Sequence, residues 1–125
     1  MGFDSNERKR QFKIRIYSYV LRLIKFLASL PNDPVLREIK SQVTRSGTSV
    51  GANYFEAEAA SSKKDYQNFF SHALKSANET KFWLALLRDS GLIVETLKTE
   101  INFLMQETKE VANILASSII TMRGK

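Results

Sequence analysis

The chain has 125 residues, 43% hydrophobic and 26% charged, with five glycines and two prolines; that balance suits one small domain with its own core and excludes collagen-like, low-complexity and disordered classes. It has no cysteine and a single histidine, His72, which removes disulfides, thiol nucleophiles, thiolate metal sites and multi-histidine metal centres. The net charge of +6 is uneven: residues 1–29 carry seven basic and two acidic side chains, against three and four in 30–62, five and three in 63–91, and four and four in 92–125.

The first predicted element covers about residues 7–29. Phe12, Ile16, Tyr19, Leu23, Phe26 and Leu30 recur at intervals of three and four, as one helix face requires. Leu30-Pro31-Asn32-Asp33-Pro34 breaks it, because each proline pushes its predecessor out of the helical region. Asp33 as N-cap and Pro34 at the first helical position then open a second helix over about 34–61, with Leu36, Ile39, Val43, Val50, Tyr54 and Ala57 as its seam. Ser62 and Asp65 form a capping-box-like start to a third helix over about 63–90, whose heptad-like seam is Tyr66, Phe70, Ala73, Ala77, Thr80, Leu84 and Leu87. Gly91 stops it. The fourth helix, over about 93–122, stacks Val94, Leu97, Ile101, Leu104, Val111, Leu115 and Ile119. No strand pattern competes, so residues 1–125 are expected to form one all-α domain, an antiparallel up-down-up-down four-helix bundle.

No apolar run nears the roughly 18 residues of a membrane span. The N-terminal residues lack the apolar stretch and cleavage site of a secretory signal and the sixth-position Ser or Thr of a myristoylation motif. A cytoplasmic protein without membrane contact is the expectation.

Three features go beyond a plain bundle. The excess charge of the first quarter points to a polyanion, and at 100° per residue Arg8, Arg15 and Arg22 fall on one stripe with Lys25 close by, while Lys9, Arg10 and Lys13 surround its start. Arg forks suit phosphate oxygens, and repeated cations along a rod can follow a nucleic-acid backbone; a merely solvated helix face is the plainer alternative. The second feature is a polar stripe beside the core. Gln42, Ser46, Ser49, Asn53 and Glu56 step four, three, four, three along helix 2, and His72, Ser76 and Glu79 answer on helix 3, with Trp83 one turn further. Such a stripe reads as a hydrogen-bonded network that fixes helix register. The chemical alternative, Glu56 and Glu79 as paired carboxylates of a hydrolase or metal site, lacks the Glu-x-x-His motif of di-metal bundles. The third is Gly47 and Gly51, four apart inside a helix, where each glycine costs roughly 1 kcal/mol and so implies close packing of another helix; no strand or Gly-Lys-Ser/Thr accompanies them, which excludes a phosphate loop. Finally, Phe55, Phe69, Phe82, Leu86, Ile14 and Leu21 fall outside the seams, which implies burial between copies in a homo-oligomer. Neither metal, cofactor nor small-molecule substrate is expected, and no enzymatic activity.

The run Gln42-Val43-Thr44-Arg45-Ser46-Gly47-Thr48-Ser49-Val50-Gly51-Ala52-Asn53-Tyr54-Phe55-Glu56-Ala57, followed by Ser62-Lys63-Lys64-Asp65-Tyr66 and Ala73-Leu74-Lys75-Ser76-Ala77-Asn78-Glu79, resembles the 23S rRNA intervening-sequence proteins. The chain departs from that pattern at Gly47, where Ala or another small residue is commoner, and at Ala57-Glu58. The resemblance implies a small bacterial protein of four antiparallel helices assembled as a ring-like homopentamer. It implies that Arg45, Ser49, Asn53, Glu56, Ser76 and Glu79 are signature positions making structural polar contacts. The accessory proteins of diversity-generating retroelements look similar, and there a basic surface serves a reverse transcriptase and RNA. Function by this route is analogy: the expectation is a non-enzymatic nucleic-acid-binding accessory, with a protein-interaction adaptor, for a partner such as a polymerase, as the alternative.

Overall fold

The computed structural model describes the backbone of residues 2–124 and the side chains of residues 5–124. Helix α1 (Gly2–Ala28) runs on through residues 2–6, which hold no proline, although Gly2, Asp4, Ser5 and Asn6 are residues that favour turns. Helix α2 (Pro34–Ala57) begins as the sequence predicts: the Asp33 carboxylate accepts from Val35 N at 2.9 Å and Leu36 N at 3.0 Å, two of the amides that a helix start leaves without intrahelical partners. It ends four residues short of the expected Ser61. Glu58, Ala59 and Ala60 each bond to the carbonyl three residues back, a tightening that closes the last turn and releases the chain toward α3. Ser62 caps α3 (Lys63–Asp89), accepting from Asp65 N at 3.0 Å, while the Asp65 carboxylate reaches back to Ser61 N at 3.1 Å.

Gly91, at φ 79°, makes the left-handed step out of α3, a conformation that costs a residue with a Cβ. The fourth helix starts later than the spacing predicts. Val94 is extended and 64% exposed, a 3-10 turn covers Glu95–Leu97, and α4 spans Lys98–Arg123. Ile93 takes the place assigned to Val94, since it is the one of the two that reaches the core, at 6% exposed.

The helices form a square. Helix α2 packs on α1 and α3, and α4 packs on α3 and α1, while the diagonal pairs stay apart. Arg15 meets Glu107 where Arg22 meets Glu100, Arg45 meets Glu79 where Ser49 meets Ser76, and Gly47 faces Leu23 where Gly51 faces Ile16; numbers rise on one helix as they fall on the next, so these neighbours are antiparallel. This is a four-helix bundle; among the described residues there is no strand.

Its core follows the predicted seams, with Ile16, Leu23, Leu36, Val43, Val50, Leu84, Leu87, Ile101, Leu104, Val111 and Leu115 all fully buried. Each such side chain contributes roughly 1.5–3 kcal/mol by leaving water. The two helical glycines on α2 face α1. A Cβ on Gly47 would run into Leu23 Cδ2, and one on Gly51 would sit 3.1 Å from Val20 Cγ2. They therefore leave room for the Leu23 and Val20 side chains of α1 to seat directly on the α2 backbone.

Candidate nucleic-acid interface

The seven cations singled out on α1 divide into two groups. Arg15 donates to Glu107 at 2.7 and 2.8 Å and to Glu110 at 2.6 Å. One heptad on, Arg22 donates to Glu100 at 2.6 and 2.9 Å, and its guanidinium lies 3.7 Å from the centre of the Phe103 ring. Both arginines thus bridge to α4 and are held more basic than usual by their carboxylate hydrogen bonds. Lys13 pairs with Glu58 at 2.8 Å and lies over the Phe55 ring, and Arg10 pairs with Glu7 one turn before it. Arg8, Lys9 and Lys25 are exposed and have no acidic partner among the described side chains. The stripe that looks continuous in sequence is therefore neutralised along its middle.

Of the cations without an acidic partner among the described side chains, Lys25, Arg37, Lys40, Lys75, Lys81 and Lys109 are spread over the bundle, while five stand together at one end of it. Arg8 and Lys9 stand there with Lys63 and Lys64 at the start of α3 and Arg123 at the end of α4, all exposed. Between them lies a groove of about 580 Å³, with Arg8, Lys9 and Phe12 from α1, Tyr54 from α2, Tyr66 and Phe70 from α3, and serine and threonine hydroxyls from α4. Its aromatic rings touch in series: Phe12 meets Tyr54 edge-on at 5.1 Å, Tyr54 meets Phe70 at 5.4 Å, and Phe70 meets Tyr66 at 4.9 Å. Burial pushes the Tyr54 hydroxyl up to about 12, so it stays a neutral hydrogen-bonding group.

The polar stripe beside the core resolves into two clusters between α2 and α3. Arg45 pairs with Glu79, is braced by Gln42 at 2.8 Å, and shares that carboxylate with Trp83 Nε1 at 3.2 Å. Arg45 first, and Trp83 after it, hold the Glu79 carboxyl below its ordinary range. A second cluster joins Ser76 Oγ to Ser49 Oγ at 2.9 Å, with Asn53 donating to the Ser49 hydroxyl and carbonyl at 2.9 Å each. Deeper still, Thr80 Oγ1 lies 2.8 Å from both Ser46 Oγ and the Ser76 carbonyl, with Ser46 and Thr80 fully buried.

Glu56 and His72 do not join these clusters; both side chains are exposed. Glu56 sits on the last turn of α2, eleven residues beyond Arg45, which places it about 16 Å along the bundle from Glu79 at 1.5 Å per residue. The two carboxylates are thus not brought together, and paired acid–base chemistry has no geometry here. Among the described residues, no three of His, Cys, Asp and Glu converge as metal ligands would, and no described helix is long and apolar enough to cross a membrane.

Two sets of residues escape a helix-by-helix reading. Glu100, Glu107 and Glu110 are the internal partners of the basic stripe, and the available signal was their spacing: Arg15 and Arg22 are seven apart, as are Glu100 and Glu107, on neighbouring antiparallel helices. Thr108 is the other. It fills the α4 seam between Leu104 and Val111 and meets Tyr19 Oη at 2.6 Å, in a site whose burial drives the tyrosine up to about 12.

A family model described as 23S rRNA-intervening sequence protein matches residues 9–117. Among solved structures, a crystal structure of a protein with unknown function from the S23 ribosomal protein family of Bacteroides thetaiotaomicron VPI-5482 is 34% identical. It covers 86% of this chain and 97% of its own, with a TM-score of 0.73. No curated protein of similar sequence was found.

Proposed function

The chain belongs to the 23S rRNA-intervening sequence protein family, and from that premise we propose that it is a non-enzymatic bundle that binds nucleic acid by its phosphate backbone. The observation that carries this reading is the gathering of Arg8, Lys9, Lys63, Lys64 and Arg123 at one end, where the described side chains offer them no carboxylate. A phosphate chain supplies what those cations lack. Arg15 and Arg22 could join only by giving up their glutamates, so they position α1 rather than lead the contact. The reading needs no metal, cofactor or small-molecule substrate, and it suits a cytoplasmic setting beside RNA or DNA.

A labelled, structured RNA titrated at about 50 and 200 mM salt tests it. Binding should weaken by orders of magnitude between the two, because each neutralised phosphate adds about 0.9 to the log–log salt slope on duplex. Arg8→Glu with Lys9→Glu should lower affinity more than tenfold at the lower salt. Absence of binding at 50 mM, or binding indifferent to salt, would sink the reading and turn attention to an adaptor role toward a protein such as a reverse transcriptase.

A second element of the proposal is self-assembly. Ile14, Tyr17, Leu21 and Ile24 form an exposed stripe on α1 at intervals of three, four and three, and Phe82 and Leu86 are exposed on α3. Helices α1 and α3 are diagonal in the bundle, so these unlike patches point apart. A head-to-tail contact between unlike patches closes into a ring when its rotation allows, and a ring, such as a pentamer, would multiply the basic end through effective concentration. Tyr17→Glu with Leu21→Glu should reduce the native mass to that of one chain; a wild-type chain that is already monomeric at micromolar concentration would remove the ring.

A further inference from the structure

The groove at the basic end has features that backbone binding alone does not require. Its four rings are unequally placed: Tyr54 and Phe70 are buried at 6% and 4% exposure, while Phe12 and Tyr66 at the two ends of the row remain half-exposed. Buried rings make a floor and half-exposed ones offer a face. Tyr54 adds a second, independent sign. Its side chain is nine-tenths buried, its hydroxyl makes no hydrogen bond to a described side chain or backbone group, and no buried polar atom among the described residues is left without a partner. Its Oη is therefore not enclosed, and Tyr54 lines the groove beside the serine and threonine hydroxyls of α4. The volume of about 580 Å³ falls within the range of small-ligand pockets, roughly 300–1,000 Å³.

We propose that this groove receives an unstacked base of a single-stranded nucleic acid, stacked against Tyr66 or Phe12 and hydrogen-bonded to Tyr54 Oη, with the adjoining phosphate held by Arg8 and Lys9. The inference rests on the nucleic-acid reading above and narrows it from a backbone binder to one that prefers single strands or frayed ends. Two chemistries meet at one place. Cations at the rim match phosphate charge, and aromatic faces match any base, since every base has a π-face and stacking tolerates sequence. A duplex offers the same phosphates but keeps its bases inside the helix, so the groove gains nothing from it. An uncharged apolar partner would leave the cations at the mouth unmatched, and a purely ionic partner would leave the rings idle.

The test compares a labelled single strand with a duplex of equal phosphate count, by anisotropy at about 50 mM salt. The single strand should bind more tightly by about 5- to 150-fold, the worth of one stacked base. Tyr66→Leu together with Phe12→Leu, which keeps apolar bulk against Phe70 and Tyr54 but removes both stacking faces, should erase that preference and leave duplex binding unchanged; the thermal melt of the double variant reports whether the bundle is intact. A measurement without any variant runs beside it. AMP at millimolar concentration should shift the ring protons of Phe12, Tyr54 and Tyr66, whereas inorganic phosphate should not. Equal binding of strand and duplex with no ring shift overturns the groove proposal while leaving backbone binding in place. Ring shifts that follow protein dilution rather than AMP overturn it in favour of a second copy of the chain. Failure to bind either nucleic acid overturns the nucleic-acid reading and this one together.

Discussion

Helix α2 and helix α4 both flank α1, yet they hold it by different physics. On the α2 side the residues are small: Gly47 and Gly51 admit Leu23, Val20 and Ile16 of α1, and on the opposite flank Ser46 and Ser49 meet Thr80 and Ser76 of α3 through short hydroxyl bonds. The side chains of α1 seat directly on the α2 backbone. On the α4 side, contact between backbones is the sparsest of the four neighbouring pairs, and the gap is spanned by the long side chains of Arg15 and Arg22 reaching glutamates, with 35% and 49% of the two side chains still exposed. Close packing of small groups fixes geometry and carries most of the energy. Half-exposed ion pairs contribute about 0–1 kcal/mol each and respond to solvent. The charge of α1 is accordingly in part an adhesive for α4, and the cations left over, Arg8, Lys9 and Lys25, lie toward the two ends of the helix.

The largest effects should come from the close-packed side. Leu23→Ala should cost about 2–5 kcal/mol in chemical denaturation, since the side chain is fully buried and the site cannot collapse fully. Gly47→Ala alone should also destabilise, because overpacking against Leu23, about 1–3 kcal/mol, exceeds the roughly 1 kcal/mol of helix propensity gained. The double variant should cost less than the sum by about 0.5–3 kcal/mol, as the new Cβ fills the space that the leucine leaves. Strict additivity would mean that α1 and α2 do not meet as closely as Gly47 permits. Next in size is Thr80→Val, which keeps shape but leaves the buried Ser46 hydroxyl with only a 3.4 Å approach to Val43 O; about 1–3 kcal/mol is expected. Adding Ser46→Ala should recover part of that loss, because an absent polar group needs no partner.

These two sides also differ in how far they could be read from the sequence. The seams, the Asp33-Pro34 start, the Ser62 cap and the Gly91 stop are written in residues three or four apart, so local periodicity suffices. So is the close approach implied by Gly47 and Gly51, although not the identity of Leu23 as its occupant. The end of α2 is less visible: Ala59 and Ala60 are good helix formers, and only the 3-10 tightening seen in space stops the helix at Ala57. Val94 failed for a similar reason, because a non-helical entry rotates the seam by one residue to Ile93. The fate of the basic stripe depended on contacts 78 to 95 residues distant, and a helix examined alone cannot show them. The groove is harder still, since its rings come from three helices and its shape from none of them singly.

The smallest expected effect separates the two sides most sharply. Hydrogen bonding to Arg22 holds the Glu100 carboxyl below its ordinary value of 4.5, and Gln106 followed by Arg15 does the same for Glu110. A carboxylate whose folded value is depressed contributes stability that is present above the unfolded value and is lost as pH falls through the folded one. Glu100→Gln imitates the protonated group in shape, so it should cost no more than about 1 kcal/mol at pH 7. That cost should fade as the wild type is acidified from pH 5 toward pH 3, and fade again in 1 M salt, where the screening length shrinks to about 3 Å. The Thr80→Val penalty involves no charge and should stay level across both titrations. A Glu100→Gln penalty that persisted at pH 3 and in high salt would assign the α1–α4 seam to Arg22 packed on Phe103, and α1 would then be held by contact on both flanks.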